Sequence, residues 1–272
     1  GKIGPSSKAT VLHKLHLSVF NSKKILPCRF MPLDLELTVA PLADWLATGS
    51  GFSTNYRLNN IRCMYDQLTL DEGVSNSLYS SLLANRTLSL PIIQCFQISQ
   101  ATNGATSYDF TVGRAFSRLS EVWVSFSGAT QTNTNFVCPA LPGGGGEEAP
   151  VVTDNALDGT PWCPTVRLSI GGKNIPDPAP ADSAPLHYYN MVQALGYSPN
   201  ITRDDYFRDS FAVCFDLKRV RFDHGSALST RSGDQIRITV KNMGQGGVDM
   251  MHVTLFAYGA CAVRESGCVL LN

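Results

Sequence analysis

Five histidines, His13, His16, His187, His224 and His252, are the side chains best suited to proton transfer or metal binding. Their spacing serves neither purpose. His13-Lys14-Leu15-His16 has no Glu partner and no helical context, and no His-x-His cluster with further Glu and His ligands exists, as a metal-dependent β-sandwich enzyme would need. His252 falls in an apolar run and reads as a hydrogen-bonded strand residue. Gly171-Gly172-Lys173-Asn174 resembles the end of a phosphate-binding loop. It lacks the Ser or Thr after Lys, the earlier Gly and a following helix, so it reads as a tight hairpin turn. Gly143–Gly146 reads as flexible loop. Asp204-Asp205 and Glu147-Glu148 are adjacent pairs whose side chains diverge, and no Gly-x-Ser-x-Gly elbow occurs. Lys218-Arg219-Val220-Arg221 is basic, but six Asp between residues 204 and 234 dilute it, and cross-strand pairing explains it better than a phosphate track. Trp45, Trp123 and Trp162 are scattered, not gathered on a sugar-binding face. The expectation is a protein with no catalytic constellation, no metal site and no cofactor.

What positions these residues is suggested by composition. The 272 residues carry 22 Lys+Arg against 22 Asp+Glu, with only 16% charged and 43% hydrophobic. This is too apolar for disorder. A chain this long buries about three quarters of its unfolded surface. Zero net charge argues against a free nucleic-acid binder, which needs a basic surface, and removes the repulsion that keeps proteins apart. An assembly subunit fits that balance. The balance is uneven, however: residues 1–30 hold six Lys and Arg and no acid, whereas no Lys or Arg stands between Arg118 and Arg167. The eight cysteines are too dilute for a disulfide scaffold and form no C-x-x-C. Cys63, Cys95, Cys214 and Cys261 sit in apolar runs and are expected to be reduced, buried thiols. No apolar run of eighteen or more is present, so no membrane-spanning helix is expected.

Local patterns predict short strands. Leu33-Asp34-Leu35-Glu36-Leu37-Thr38-Val39 alternates strictly, as a half-buried strand does. Residues 57–70 read as a long strand. Behind Asp71-Glu72, Val74, Leu78, Leu82 and Leu83 recur at helical spacing. Further strands are predicted at 88–99, 108–126, 166–170, 211–215, 220–222, 235–241 and 252–262, with a short helix at 186–195 closed by Gly196. Residues 127–165, holding Thr130–Asn135 and Gly143–Gly146, form a long connection of the exposed, functional kind. Many short strands, Gly/Pro turns and two brief helices spell an all-β sandwich.

Taken in order, several blocks resemble the major capsid proteins of the double-jelly-roll lineage, as in Polinton-like viruses, virophages and large eukaryotic DNA viruses. They are Leu26-Pro27-Cys28-Arg29-Phe30-Met31-Pro32-Leu33-Asp34-Leu35-Glu36-Leu37; Tyr65-Asp66-Gln67-Leu68-Thr69-Leu70-Asp71 with Leu88-Ser89-Leu90-Pro91-Ile92; and Arg114-Ala115-Phe116-Ser117-Arg118-Leu119. Later come Gly171-Gly172-Lys173-Asn174-Ile175-Pro176, Tyr188-Tyr189 with Ala194-Leu195-Gly196, and Tyr206-Phe207 with Asp216-Leu217-Lys218-Arg219-Val220. The last are Ser229-Thr230-Arg231-Ser232-Gly233-Asp234, Met251-His252-Val253-Thr254-Leu255-Phe256 and Arg264-Glu265-Ser266-Gly267. No block is diagnostic alone; order and spacing carry the likeness from about residue 26 onward. Such family chains carry more sequence upstream, so the resemblance implies a C-terminal portion: the last strands of a first jelly roll in 1–100, with its connecting helix, and a second jelly roll in 101–272 with the 127–165 loop. It implies a structural, non-enzymatic subunit that self-assembles as pseudo-hexagonal homotrimers into an icosahedral shell around a DNA genome. Implied partners are neighbouring capsomers and minor capsid or penton proteins, with no specific nucleic acid and no membrane insertion; the location is the virion, assembled inside the host cell. The other reading kept open is a minor virion protein or a carbohydrate- or receptor-binding sandwich. Cys268 stands where a less reactive residue is expected.

Overall fold

The computed structural model describes residues 10, 25–28, 32–38, 57–84, 87–127, 164–176, 182–196, 206, 210–218, 227–243, 248–264 and 267–271. They belong to two compact units, one formed by Gly1–Ile92 with Gly259–Leu271 and the other by Ile93–Tyr258. The elements in chain order are α1 (Glu72–Leu83), β1 (Leu88–Ala101), β2 (Tyr108–Val112), β3 (Leu119–Ser127), β4 (Thr165–Ile170), β5 (Lys173–Ile175), α2 (Ala184–Leu195), β6 (Ala212–Asp216), β7 (Ile236–Lys241), β8 (Met250–Arg264) and β9 (Gly267–Leu271).

In the first unit, α1 starts where the sequence predicts it. The Asp71 carboxylate accepts the Gly73 amide at 3.1 Å, satisfying one orphan N–H of the first turn, and Glu72 adds negative charge there. Leu90, Ile92, Cys261 and Val263, on the first residues of β1 and the last of β8, form a small core, and β9 pairs antiparallel with the end of β8. Cys261 is buried as expected but is disulfide-bonded, which corrects its assignment as a reduced thiol. The expected strands at 33–39 and 57–70 are not formed over the described 32–38 and 57–70. Leu37, Ile61 and Tyr65 are 62%, 70% and 78% exposed, and Cys63 is exposed too. An alternating sequence becomes a strand only where a neighbour takes its main-chain groups and covers its apolar side, and among the described residues these segments have neither.

The second unit is a sandwich of two sheets. Its first sheet has the strand order β1-β8-β3-β6, and the other β2-β7-β4-β5. Period-2 alternation builds the core: Val122, Val124 and Phe126 of β3, Val166 and Leu168 of β4, Ile236, Ile238 and Val240 of β7, and Met251, Val253 and Leu255 of β8 are fully buried. Register aligns them, with Val124 opposite both Val213 and Val253, and Ile238 between Phe110 and Leu168. Eight antiparallel-type strands in this interleaved order are a jelly roll, which closes two Greek keys on each other. The all-β expectation is met in this architecture.

Two corrections follow from how the chain crosses between sheets. The predicted strand 108–126 is two strands, β2 in one sheet and β3 in the other. Between them Phe116 is buried, its N–H donates to the Thr230 hydroxyl at 2.8 Å, and its carbonyl accepts the Thr230 amide at 2.8 Å. A stretch of interleaved apolar and polar residues therefore hides a corner. Cys95 is exposed, because it falls on the outward positions of β1, where burial alternates; only Cys214 of the four is a free, buried thiol. The predicted strand 220–222 and the loop at 128–163 lie outside the described residues.

Helix α2 has Pro185 in its first turn, where a missing N–H costs nothing, and ends at Gly196 with φ 74°. The hairpin β4–β5 turns on Gly171 (φ 57°) and Gly172 (φ 80°). Nothing lies within 4 Å of a Cβ on Gly172, whereas one on Gly171 would stand 2.4 Å from Asp234 Oδ1. Gly172→Ala is expected to cost about 1 kcal/mol from the left-handed backbone alone, and Gly171→Ala about 2 kcal/mol or more because Asp234 must also move. Thr230→Val keeps the shape but strands the buried Phe116 N–H, a loss of about 1–3 kcal/mol. Urea unfolding of the three variants checks this order.

Candidate functional site

The side chains singled out in the sequence divide between structural duty and the undescribed segments. His13, His16, His224, Trp45, Trp162, Asp204-Asp205 and Glu147-Glu148 lie outside the described residues, as do the side chains of Gly267 and Cys268. Gly171-Gly172-Lys173-Asn174 is the β4–β5 hairpin, and strand β5, not a helix N-terminus, continues directly from it.

On the outer face of the first sheet, alternation places Glu121, Trp123, Ser125 and Ser127 of β3 opposite the core-facing valines. Register sets Glu121 between Asp216 and Phe256, Trp123 between Cys214 and Thr254, and Ser125 between Ala212 and His252. The Trp123 indole N–H donates to Glu121 Oε2 at 2.9 Å, and its ring meets Phe256 edge-on at 6.1 Å between centroids. Lys218 Nζ donates to Glu121 Oε1 at 2.5 Å and lies 3.8 Å from Asp216 Oδ1. Burial alone would lower the Lys218 ammonium; the hydrogen bond and charge of Glu121, with Asp216, outweigh it and raise it. This is the cross-strand pairing expected for Lys218.

His252 stands at the centre of this face. Its Nδ1 lies 2.7 Å from Ser99 Oγ on β1, and its Nε2 lies 2.8 Å from Ser127 Oγ on β3. The imidazole thus spans β8 to both neighbours, and each serine hydroxyl can donate to or accept from the ring nitrogen it meets. Burial holds it below the usual histidine range. A Ser–His contact invites a nucleophile reading. Here the second nitrogen meets a hydroxyl where an orienting carboxylate would be needed, and all three residues sit on neighbouring paired strands of one sheet. The arrangement stitches three strands.

His187 on α2 is fully buried. Its Nε2 lies 2.9 Å from the Pro164 carbonyl oxygen, its ring meets Phe211 edge-on at 5.6 Å, and Nδ1 has no hydrogen-bond partner among the described residues. Arg114, whose guanidinium lies 3.8 Å from the Phe96 ring centroid, is a cation–π contact that the sequence does not announce, since the two residues lie on different elements. Among the described residues no group of three or more His, Cys, Asp or Glu gathers to hold a metal, and no helix is long and apolar enough to cross a membrane.

No protein-family model matches the chain, and a search of curated proteins returned no match. Among solved structures, the chain is similar to PBCV-1 VP54 fitted into a reconstruction of the virophage Sputnik (11% identity, TM-score 0.46, 74% of this chain and 54% of that one). It is also similar to the PBCV-1 virus capsid (12% identity, TM-score 0.40, 68% of this chain and 51% of that one). A third is the major capsid protein of bacteriophage PM2 (8% identity, TM-score 0.35, 63% of this chain and 45% of that one). The chain spans about half the length of these proteins.

Acid is expected to destabilise the fold through His187. Burial depresses its imidazole, against the Pro164 hydrogen bond and the Asp182 charge that pull the other way. The unfolded chain therefore takes up the proton first, near pH 6.5, and stability present above that value is lost as pH falls. Urea midpoints at about pH 7.5 and about pH 5 should differ more for the native chain than for His187→Gln, whose amide N–H can still reach Pro164.

Proposed function

We propose that this chain is the jelly-roll part of a viral major capsid protein of the double-jelly-roll type. It assembles as homotrimers into an icosahedral shell enclosing a DNA genome, without catalysis of its own. The observation that carries the reading is the strand order: β1-β8-β3-β6 facing β2-β7-β4-β5 is a complete eight-stranded jelly roll. That fold also serves lectins and metal-binding cupins, so fold alone does not choose. The choice rests on the sequence blocks that follow the capsid order from residue 26 to residue 267, and on zero net charge with 16% charged residues, which suits a subunit held among neighbours. The best-placed histidine on the sandwich, His252, is committed to Ser99 and Ser127 and so is poorly placed as a metal ligand. In this reading the residues before β1 belong to the end of a first jelly roll, and β1, which the eight-stranded sandwich needs, opens the second, so the boundary expected at residue 100 moves to the start of β1. Minor capsid or penton proteins are its further partners, and the virion its location.

Expression of the complete open reading frame, followed by sedimentation velocity and electron microscopy, tests this. Trimers and shell-like or sheet-like arrays are expected. A species that stays monomeric at every concentration and salt, or that binds a glycan array through Trp45 or Trp162 without assembling, overturns it.

A further inference from the structure

The outer face of the second sheet differs from that of the first. It holds an open cleft of about 370 Å³, lined by residues with polar or charged side chains from all four strands. Strand alternation explains much of the polarity: Arg167 and Ser169 on β4 and Arg237 and Thr239 on β7 each stand between core residues of their own strand, as Arg167 does between Val166 and Leu168. Register gathers its charges. Arg167 lies opposite Thr239, and Thr239 is flanked on β7 by Arg237 and Lys241, the next residues on the same face. Diagonal neighbours of this kind are about 7–8 Å apart, within reach of long side chains. Three cations therefore surround one position on the sheet.

The cleft's one carboxylate cannot neutralise them. Asp109 lies on the far side of Thr239 from Arg167. Its Oδ2 accepts from Arg237 at 2.8 Å and its Oδ1 from the Thr239 hydroxyl at 2.5 Å, so both oxygens are committed. Those bonds hold the Asp109 carboxyl below the usual range, and it stays ionised as the partner of Arg237. Among the described residues neither Arg167 nor Lys241 has a carboxylate partner, and Arg167 Nε is buried with no acceptor at all. The fold thus leaves the Arg167 charge without a countercharge among the described residues, and an anion in the cleft would supply one. Hydroxyls complete the surroundings. Thr165 lies opposite Lys241, accepts from Asn242 at 3.0 Å and keeps its own hydrogen to donate; Ser169 lies opposite Arg237.

We propose that this cleft binds a sulfate- or phosphate-class oxyanion, with Arg167 and Lys241 supplying the charge and Thr165 and Ser169 the hydroxyl donors. A planar guanidinium fork suits two oxygens of such a group, and the ammonium adds a point charge. The cleft exceeds what a bare tetrahedral anion fills, since about 30 Å³ is one water's share of liquid, so the group can arrive free or as an ester on a sugar-sized body. The binding does not require the shell described above and is testable on unassembled protein.

Calorimetric titration at low salt with inorganic sulfate, inorganic phosphate and glucose 6-sulfate is the test. Saturable binding of at least one probe is expected, weakened about tenfold or more by Arg167→Gln and by Lys241→Gln, and tightened by Asp109→Asn, which removes the competing carboxylate. Lys173→Gln, a cation of the same sheet outside the cleft, should leave it unchanged. Tighter binding of the sugar ester than of either inorganic ion identifies an ester ligand; equal binding identifies the free anion. Each variant's thermal unfolding is recorded, and Lys241→Gln, at an exposed position, provides the reading if Arg167→Gln does not fold. No saturable binding of any probe up to about 10 mM, or affinity unchanged in the folded variants, overturns the proposal.

Discussion

Where a chain leaves one sheet of a sandwich for the other, its backbone passes over the end of an apolar core, and each buried N–H and C=O there must find a partner. This jelly roll meets that constraint often. In the order β1-β8-β3-β6 against β2-β7-β4-β5, every connection except β4 to β5 and β8 to β9 changes sheets. Two of the crossings are held by buried threonines. Thr102, just after β1, donates its hydroxyl to the Val248 carbonyl and its amide to Asp249. Thr230 clamps Phe116 between β2 and β3, and the Leu119–Leu228 bridge continues the clamp into β3. Thr102 and Thr230 are among the few polar side chains buried in the molecule's described part. They are placed where hydrophobic packing alone would leave main-chain groups unsatisfied.

That placement also explains which parts of the fold the sequence disclosed. Strands buried on one face announce themselves by alternation, so β4, β6, β7 and β8 were legible within a few residues, as were α1 from its Asp71 cap and α2 from Gly196. Corners do not announce themselves. Val112, Phe116 and Leu119 are all apolar and all buried, yet they belong to two sheets and the turn between them, and only the distant Thr230 reveals the break. Alternation misled in the other direction at 32–38 and 57–70, because pairing is a property of two segments and a pattern describes one. Cys95 was misplaced for a related reason: an apolar run through β1 says that the strand is half-buried, not which half each residue occupies.

The polar side chains of the candidate surfaces were harder still to read. Ser99, Ser127 and His252 are 125 or more positions apart along the chain for each pair that meets at His252, and no local motif links them. Arg167, Arg237 and Lys241 likewise come together only through the β4–β7 register. A single sequence supplies the identities of such residues; the strand order supplies their company.

The two outer faces of the sandwich therefore end with opposite electrostatic balance, although both grow from the same alternation. On the first sheet the charges are mutually committed: Lys218 answers Glu121 and Asp216, the Trp123 indole takes the second Glu121 oxygen, and His252 is held between two hydroxyls. Little capacity is left for a charged ligand, and the half-buried Trp123 and Phe256 make that face suited to packing. On the second sheet one carboxylate stands among three cations, and its oxygens are spent on Arg237 and Thr239. Substituting either face at random would be tolerated by a solvated surface, but not equally by these two. The first face loses mutual bonds that hold adjacent strands in register, whereas the second, apart from the Asp109 bonds to Arg237 and Thr239, loses the Arg167 and Lys241 charges, which have no carboxylate partner among the described residues. Side chains that the fold does not need for its own stability are where a binding role is most economically sought, and Arg167, with a buried and unanswered Nε, is the residue that meets that description most fully.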